Sequence, residues 1–150
     1  MSCFTTGVTV VTAHTQGQDW GMTCNSFNTV SLDPAMVLWS VRKSSLSHEA
    51  FVNAGGYMVN VLGAQQKEMA LKFAQGTQDE RFAEEHLVRG VNQHPRLEGV
   101  IAWFDCRIAQ VVSAGDHDIL IGEVLDFGVH AGHGLAYAQR SFGVLAPMED

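Results

Sequence analysis

Residues 21–34 read Gly21-Met22-Thr23-Cys24-Asn25-Ser26-Phe27-Asn28-Thr29-Val30-Ser31-Leu32-Asp33-Pro34. Thr23, Asn25 and Ser26 crowd small polar side chains around Cys24. A short β-prone run follows, and Ser31 to Pro34 is a turn signal. Aspartate and proline pre-set turn geometry, and the residue before a proline is pushed out of the helical region. The segment therefore holds small side chains and accessible backbone amides between two strands. Such a surface suits a flat heteroaromatic ligand that takes hydrogen bonds at its edge and tolerates no bulk against its face.

On either side of this segment the pattern is mainly β. Gly7 to His14 is a β-branched run with Val8, Val10 and Thr12 on one face, and Gln16 to Asp19 reads as a hairpin turn into the next strand. Met36 to Val41 is nearly continuous apolar sequence, bounded by Pro34 and by Arg42-Lys43, and reads as a buried strand. Tyr57 to Leu62, after Gly55-Gly56, reads likewise. Gln65 to Phe73 mixes apolar and polar residues without a breaker, which favours a helix. Two longer strands complete the pattern. Ala102, Phe104, Cys106 and Ile108 share one face of the first, with Asp105 and Arg107 on the other. Ile119, Ile121, Leu125, Phe127 and Val129 align along one face of the second. Ser113 to Asp118 links them as a hairpin with a polar tip. Gln75 to Pro95 is the most polar and least regular stretch, a surface excursion or a flap over a site. Without repeats or linkers, residues 1–150 read as a single domain.

Composition narrows the partners. Hydrophobic residues make up 46% of the 150, but the longest apolar runs fall short of a membrane span. The N-terminus shows no basic region followed by an apolar run, the pattern of a secretory signal. Three cysteines (Cys3, Cys24, Cys106) are an odd number without zinc or redox-pair spacing, which suits reduced thiols in a cytoplasmic protein. A net charge of −7 argues against nucleic acid as a partner. Any anionic ligand would need cations gathered locally.

Nine Lys and Arg are present, and the adjacent pair Arg42-Lys43 opens Arg42-Lys43-Ser44-Ser45-Leu46-Ser47. Two readings compete. Ser45 or Ser47 caps a helix over His48 to Asn53, or cations, hydroxyls and backbone amides together cradle a phosphate.

Several other chemistries lack support. No Gly-x-Gly-x-x-Gly follows a strand. His130-x-x-His133 sits among glycines without a third ligand, so no metal is assigned. Asp116-His117-Asp118 alternates faces unless the turn converges them. No serine stands in a nucleophile-elbow setting. Trp20, Trp39 and Trp103 lie in or beside strands, where packing accounts for them.

Taken in order, several pieces resemble one family. Phe4-Thr5-Thr6-Gly7-Val8-Thr9-Val10-Val11-Thr12 is similar to its opening strand, Trp20 to Pro34 to its flavin-edge segment, and Val59-Asn60-Val61-Leu62 to its central strand. Lys72-Phe73-Ala74 and Arg81-Phe82 follow, then Ala114-Gly115-Asp116-His117 as its Gly-Asp-His turn and Leu135-Ala136-Tyr137 as its Leu-x-Tyr. The chain resembles the flavin reductase-like family of FMN-binding split β-barrels with a few short helices.

That resemblance implies hydride transfer from NADH or NADPH to FMN or FAD. It further implies a homodimer and reduced flavin passed to a partner monooxygenase. The alternative is a non-enzymatic flavin or haem binding protein on a related split barrel. Thr23, Cys24, Asn25 and Ser26 would line the isoalloxazine edge, with Ser31, Phe73 and Tyr137 also binding the cofactor. Beside that segment, Lys43, Ser45 and Ser47 read as the flavin phosphate cradle. Cys24 fills a position where the family favours small residues, and no cation near it in sequence would activate a redox thiol. His117 would face the nicotinamide as the catalytic-site imidazole, with Asp116 orienting the turn or the imidazole itself. The family carries a helical segment before its Phe-x-x-Gly strand, and here only Met1-Ser2-Cys3 precede Phe4. This start reads as either naturally short or trimmed.

Overall fold

A computed structural model describes residues 1–149. Twelve strands and three short helices follow one another: β1 (Thr6–Gly7), β2 (Thr9–Thr15), β3 (Gln18–Cys24), β4 (Asn28–Leu32), β5 (Ala35–Arg42), α1 (His48–Asn53), β6 (Gly56–Val61), α2 (Lys67–Lys72), α3 (Gln78–Phe82), β7 (Leu87–Arg89), β8 (Pro95–Leu97), β9 (Ala102–Ala114), β10 (His117–Val129), β11 (Leu135–Ala138) and β12 (Ser141–Val144). Seven strands form one antiparallel sheet in the order β3-β2-β6-β9-β10-β5-β4.

That order and one short link set the architecture. β3 and β4 are the two edges of the sheet, yet only residues 25–27 join them. A flat sheet would hold edges six strand spacings apart, about 29 Å at about 4.8 Å each. Four Cα steps reach at most about 15 Å. The sheet must therefore roll until its edges approach, which makes a barrel. β3 and β4 do not pair with each other, so the barrel is split. The residues that close it are those quoted at the outset.

Turn chemistry supports the roll. Gln16 and Gly17 both take positive φ (54° and 74°), the mirror-image turn whose twist suits a two-residue hairpin between β2 and β3. Gly115 (φ 63°) and Asp116 turn β9 into β10, so His117 stands as the first residue of β10, opposite Ala114 and Arg42. The helices at His48–Asn53 and Lys67–Lys72 fall where the pattern predicts them.

Two buried clusters fill the molecule. In the first, Trp39 meets Phe51 and Tyr57 edge-on (ring centroids 4.9 and 5.9 Å), and Val11, Val41, Val59 and Leu120 pack around them. The second gathers Val10, Leu62, Ala70, Phe73, Leu97 and Leu135. β2 lies between the two, which corrects the expectation of a single one-faced run from Gly7. The run breaks at Val8, and Val10, Val11, Thr12 and Ala13 are all fully buried because both faces of β2 are covered.

β10 also departs from expectation. Its inward residues are Asp118, Leu120 and Gly122, while Leu125, Phe127 and Val129 stand 42%, 63% and 73% exposed. A shift in register between Val124 and Asp126 takes Leu125 out of the alternation. Gly122 is required inside because a Cβ there would strike the Tyr57 hydroxyl, which donates to the Leu120 carbonyl at 3.0 Å. On β9, Asp105 is likewise buried rather than outward. Its Oδ2 accepts from the Val91 backbone N–H at 3.0 Å, and burial pushes its carboxyl up.

Gln75 to Pro95 is a strap rather than a loose excursion. Gln78 accepts from the Gly21 N–H at 2.9 Å, Arg81 donates to the Gly21 carbonyl at 2.7 Å, and Arg89 grips Asp19 with two bonds at 2.6 and 2.8 Å. His94, 2% exposed, accepts from the His14 N–H at 2.9 Å. No helix among the described residues is long and apolar enough to cross a membrane.

Candidate functional site

The closing segment is braced from both sides. Thr23 donates its N–H to the Phe73 carbonyl (3.1 Å) and its hydroxyl to the Ala70 carbonyl (2.6 Å), fixing the end of β3 on α2. Ser26 Oγ accepts from the Ser40 N–H (3.0 Å) and donates to the Ser40 carbonyl (3.2 Å), fixing the other end on β5. Thr9 Oγ1 donates to the Cys24 carbonyl at 2.9 Å and lies 3.2 Å from its sulfur. Burial pushes the Cys24 thiol up, the opposite of what a redox cysteine needs. Asn25 is exposed between these anchors.

Two adjoining clefts meet at Asn25 and Tyr137. One, about 400 Å³, is lined by Thr23, Cys24, Asn25, Leu71, Ala74, Tyr137, Arg140 and Phe142 among others. The second, about 520 Å³, runs along Phe4 to Gly7, Asn25 to Asn28 and Tyr137. Tyr137 reaches this place because β11 pairs with β1, setting Thr6 opposite Tyr137. Small residues on one wall and the aromatic pair Tyr137 and Phe142 (centroids 5.0 Å apart) on the other make a slot suited to a planar ring. Thr6 Oγ1, buried at the second cleft, has no hydrogen-bond partner among the described residues. A third depression, between Glu68 and Glu80, is bordered by carboxylates and holds none of the small polar residues.

A second constellation sits at the far end of β5. Lys43 donates its backbone N–H to the Asp116 carbonyl (2.8 Å) and its ammonium to Ser113 (2.6 Å). His117 Nδ1 lies 2.7 Å from Asp116, and that imidazole holds the Asp116 carboxyl below the usual carboxylate range. Asp116 thus contacts both neighbours, His117 through its side chain and Lys43 through its carbonyl. Ser45 Oγ accepts from the Ser47 N–H at 3.2 Å, bracing the start of α1. The structure brings His117 and Lys43 together, a juxtaposition their separation in sequence conceals.

Three more of the expected cofactor residues lie outside these clefts. Ser47 is 5% exposed and its hydroxyl accepts from Gln78 at 3.2 Å, so it seals α1 to the strap instead of meeting a ligand. The Phe73 ring is fully buried against Phe82 (centroids 5.1 Å) and beneath Gly21, where a Cβ would lie 2.7 Å from it. What Phe73 gives the site is its carbonyl. Ser31 lies on β4 opposite Met36 and lines neither cleft. Sequence reasoning missed Arg140, Phe142 and the wall made by Leu71 of α2 and Ala74 just beyond it. A polar hairpin near the C-terminus gives no signal of the cleft it borders until β11 is paired.

Among the described residues no three His, Cys, Asp or Glu side chains converge as a metal site. Residues 1–146 match the family model described as flavin reductase like domain. The reductase component of a flavin-dependent trigonelline monooxygenase from Acinetobacter baylyi is 44% identical over 93% of this chain and 45% of its own length. The FMN reductase (NADH) SmoA of Agrobacterium fabrum is 42% identical over 95% of this chain and 81% of its own. The Streptomyces globisporus NADH:FAD oxidoreductase SgcE6, solved with NAD and FAD fragments, superposes with a TM-score of 0.92 at 34% identity, covering 99% of this chain and 90% of its own. The chain spans about half the length of some relatives it matches, 45% for the trigonelline component.

Proposed function

The chain belongs to the flavin reductase-like family, and from that membership we propose that it is an NADH-dependent flavin reductase delivering reduced flavin to a partner monooxygenase. The observation that carries the reading is the meeting of Thr23, Cys24 and Asn25 with Tyr137 around one slot at the barrel closure. In this reading that slot takes the isoalloxazine of FMN or FAD. Bound flavin supplies the hydride-accepting centre, and the protein supplies position and charge. Backbone amides of the closing segment meet the ring edge, since the hydroxyls of Thr23 and Ser26 are spent on the fold. Lys43 and Ser45 hold the flavin phosphate, and His117 offers Nε2 to the nicotinamide.

No residue here has to act as a strong acid, base or nucleophile, which agrees with the lack of a triad. The relatives named as reductase components support a monooxygenase partner. The exposed Leu125, Phe127 and Val129 near the end of β10 support a homodimer, because a monomer seldom leaves such a patch bare. The test is anaerobic mixing of the purified chain with NADH or NADPH and each flavin. The proposal requires nicotinamide oxidation that depends on added flavin. Tight binding of a chromophore with no such oxidation would favour a carrier protein instead.

A further inference from the structure

Most of the chain's cations are engaged, and Arg42, whose side chain like that of Arg140 has no bonded partner among the described residues, lines neither cleft. Lys72 pairs with Glu85, Arg89 with Asp19 and Arg107 with Glu123. Arg81 donates to backbone carbonyls, and Arg96 lies 4.6 Å over the Trp103 ring. Arg140 differs: among the described residues it makes no ion pair and no side-chain hydrogen bond, yet it lines the slot. Among the described residues it is the only charged side chain on either of the two clefts that meet at Asn25 and Tyr137. Lys67, stacked 5.9 Å from the Phe142 centroid, adds a second cation behind that wall.

The backbone reinforces the point. Gln139 and Arg140 form the two-residue turn between β11 and β12 with φ of 50° and 64°, a region where glycine is the low-cost choice. Gln139 donates its N–H to the Ser2 carbonyl at 2.6 Å, holding the turn beside the cleft. A turn of positive φ that sets an exposed, unpaired arginine at the rim of the slot is a candidate for function.

Resting on the flavin reading above, we propose that Arg140 is the electrostatic partner of the isoalloxazine edge and favours reduced over oxidised flavin. Oxidised flavin is neutral in its ring system, whereas reduced flavin carries negative charge along the pyrimidine edge at neutral pH. A cation at the rim of the slot therefore discriminates between the two forms. This task differs from holding the phosphate, which falls to Lys43 at the other constellation. The two are separable because riboflavin has the ring and lacks the phosphate.

The experiment is an anaerobic calorimetric titration with riboflavin and FMN, each oxidised and dithionite-reduced. It uses the wild-type chain, Arg140→Gly, Arg140→Lys and Lys43→Ala. Arg140→Gly suits the positive φ, so the turn is preserved and the melting temperature should hold. We expect it to weaken reduced riboflavin and reduced FMN alike by about ten-fold or more. Oxidised flavins should change by less than about three-fold, and Arg140→Lys should recover part of the loss. A ten-fold preference corresponds to about 30 mV in the bound two-electron couple. Equal losses for both redox forms would overturn the assignment, as would a loss confined to FMN, which would make Arg140 a phosphate ligand. A wild type that binds flavin while Arg140→Gly matches it overturns this inference alone. A wild type that binds no flavin overturns the flavin reading and this inference with it.

Discussion

Lys43 and His117 stand on one small platform at the end of β5, each tied to Asp116 by a different bond. Their roles separate by ligand. Lys43→Ala should weaken FMN by about ten-fold, the typical worth of a charge-assisted contact, and leave riboflavin unchanged. Direct binding measurements with the two flavins check this, and equal losses would remove Lys43 from the phosphate. His117→Ala should raise KM for NADH more than it lowers kcat, because a binding group lost without a proton-transfer role costs affinity first. Steady-state kinetics at saturating flavin read the split. Wild-type values for both constants would return His117 to the surface. At this scale the sequence was partly legible. Thr23, Asn25 and Tyr137 line one cleft, whereas Ser47 and Phe73 are buried in the fold, because hydroxyl and aromatic residues serve equally well inside it and only burial tells the uses apart.

The strap from Gln75 to Pro95 shows how an element of weak periodicity is held. Its anchors are polar: Gln78 and Arg81 on Gly21, Arg89 on Asp19, His94 on the His14 backbone. Burial depresses the His94 imidazole to about 4, so the folded state holds it neutral. Unfolded, the ring titrates at its ordinary value near 6.5. Between these values the unfolded chain binds more protons. Stability should therefore be full above pH 6.5, fall by about 1.4 kcal/mol per pH unit through the window down to 4, and lose no more to this group below it. Urea midpoints across that range measure the slope. His94→Asn keeps an acceptor for the His14 N–H and should flatten it, and an unchanged slope would place the titration elsewhere. Such anchoring is invisible in one dimension, since it depends on partners 60 to 80 residues apart. By contrast β5, β6, α1 and α2 were legible, because local apolar runs and breakers suffice to define them.

The whole molecule leaves an apolar patch near the end of β10 bare. The sequence pattern aligned Leu125, Phe127 and Val129 along one face of their strand, and within one chain they are exposed. A second copy would cover them. Phe127→Asp should convert a dimer to monomers in sedimentation velocity without loss of folded secondary structure. A wild type that sediments as a monomer would contradict the dimer. Topology itself followed from a single count, the three-residue link between opposite sheet edges. That link also walls the clefts, so fold closure and the proposed ligand contact rest on the same residues. Asn25 isolates the second role, because it is exposed, lines both clefts and has no side-chain hydrogen bond among the described residues. The decisive measurement is anaerobic stopped-flow bleaching of FMN by NADH, followed across flavin concentration for the wild type and Asn25→Leu. The account predicts bleaching by the wild type that requires both substrates, and a similarly folded variant that needs at least about ten-fold more flavin, as bulk in the slot displaces the ring. Bleaching by Asn25→Leu at wild-type flavin concentrations, or none by the wild type, would contradict it.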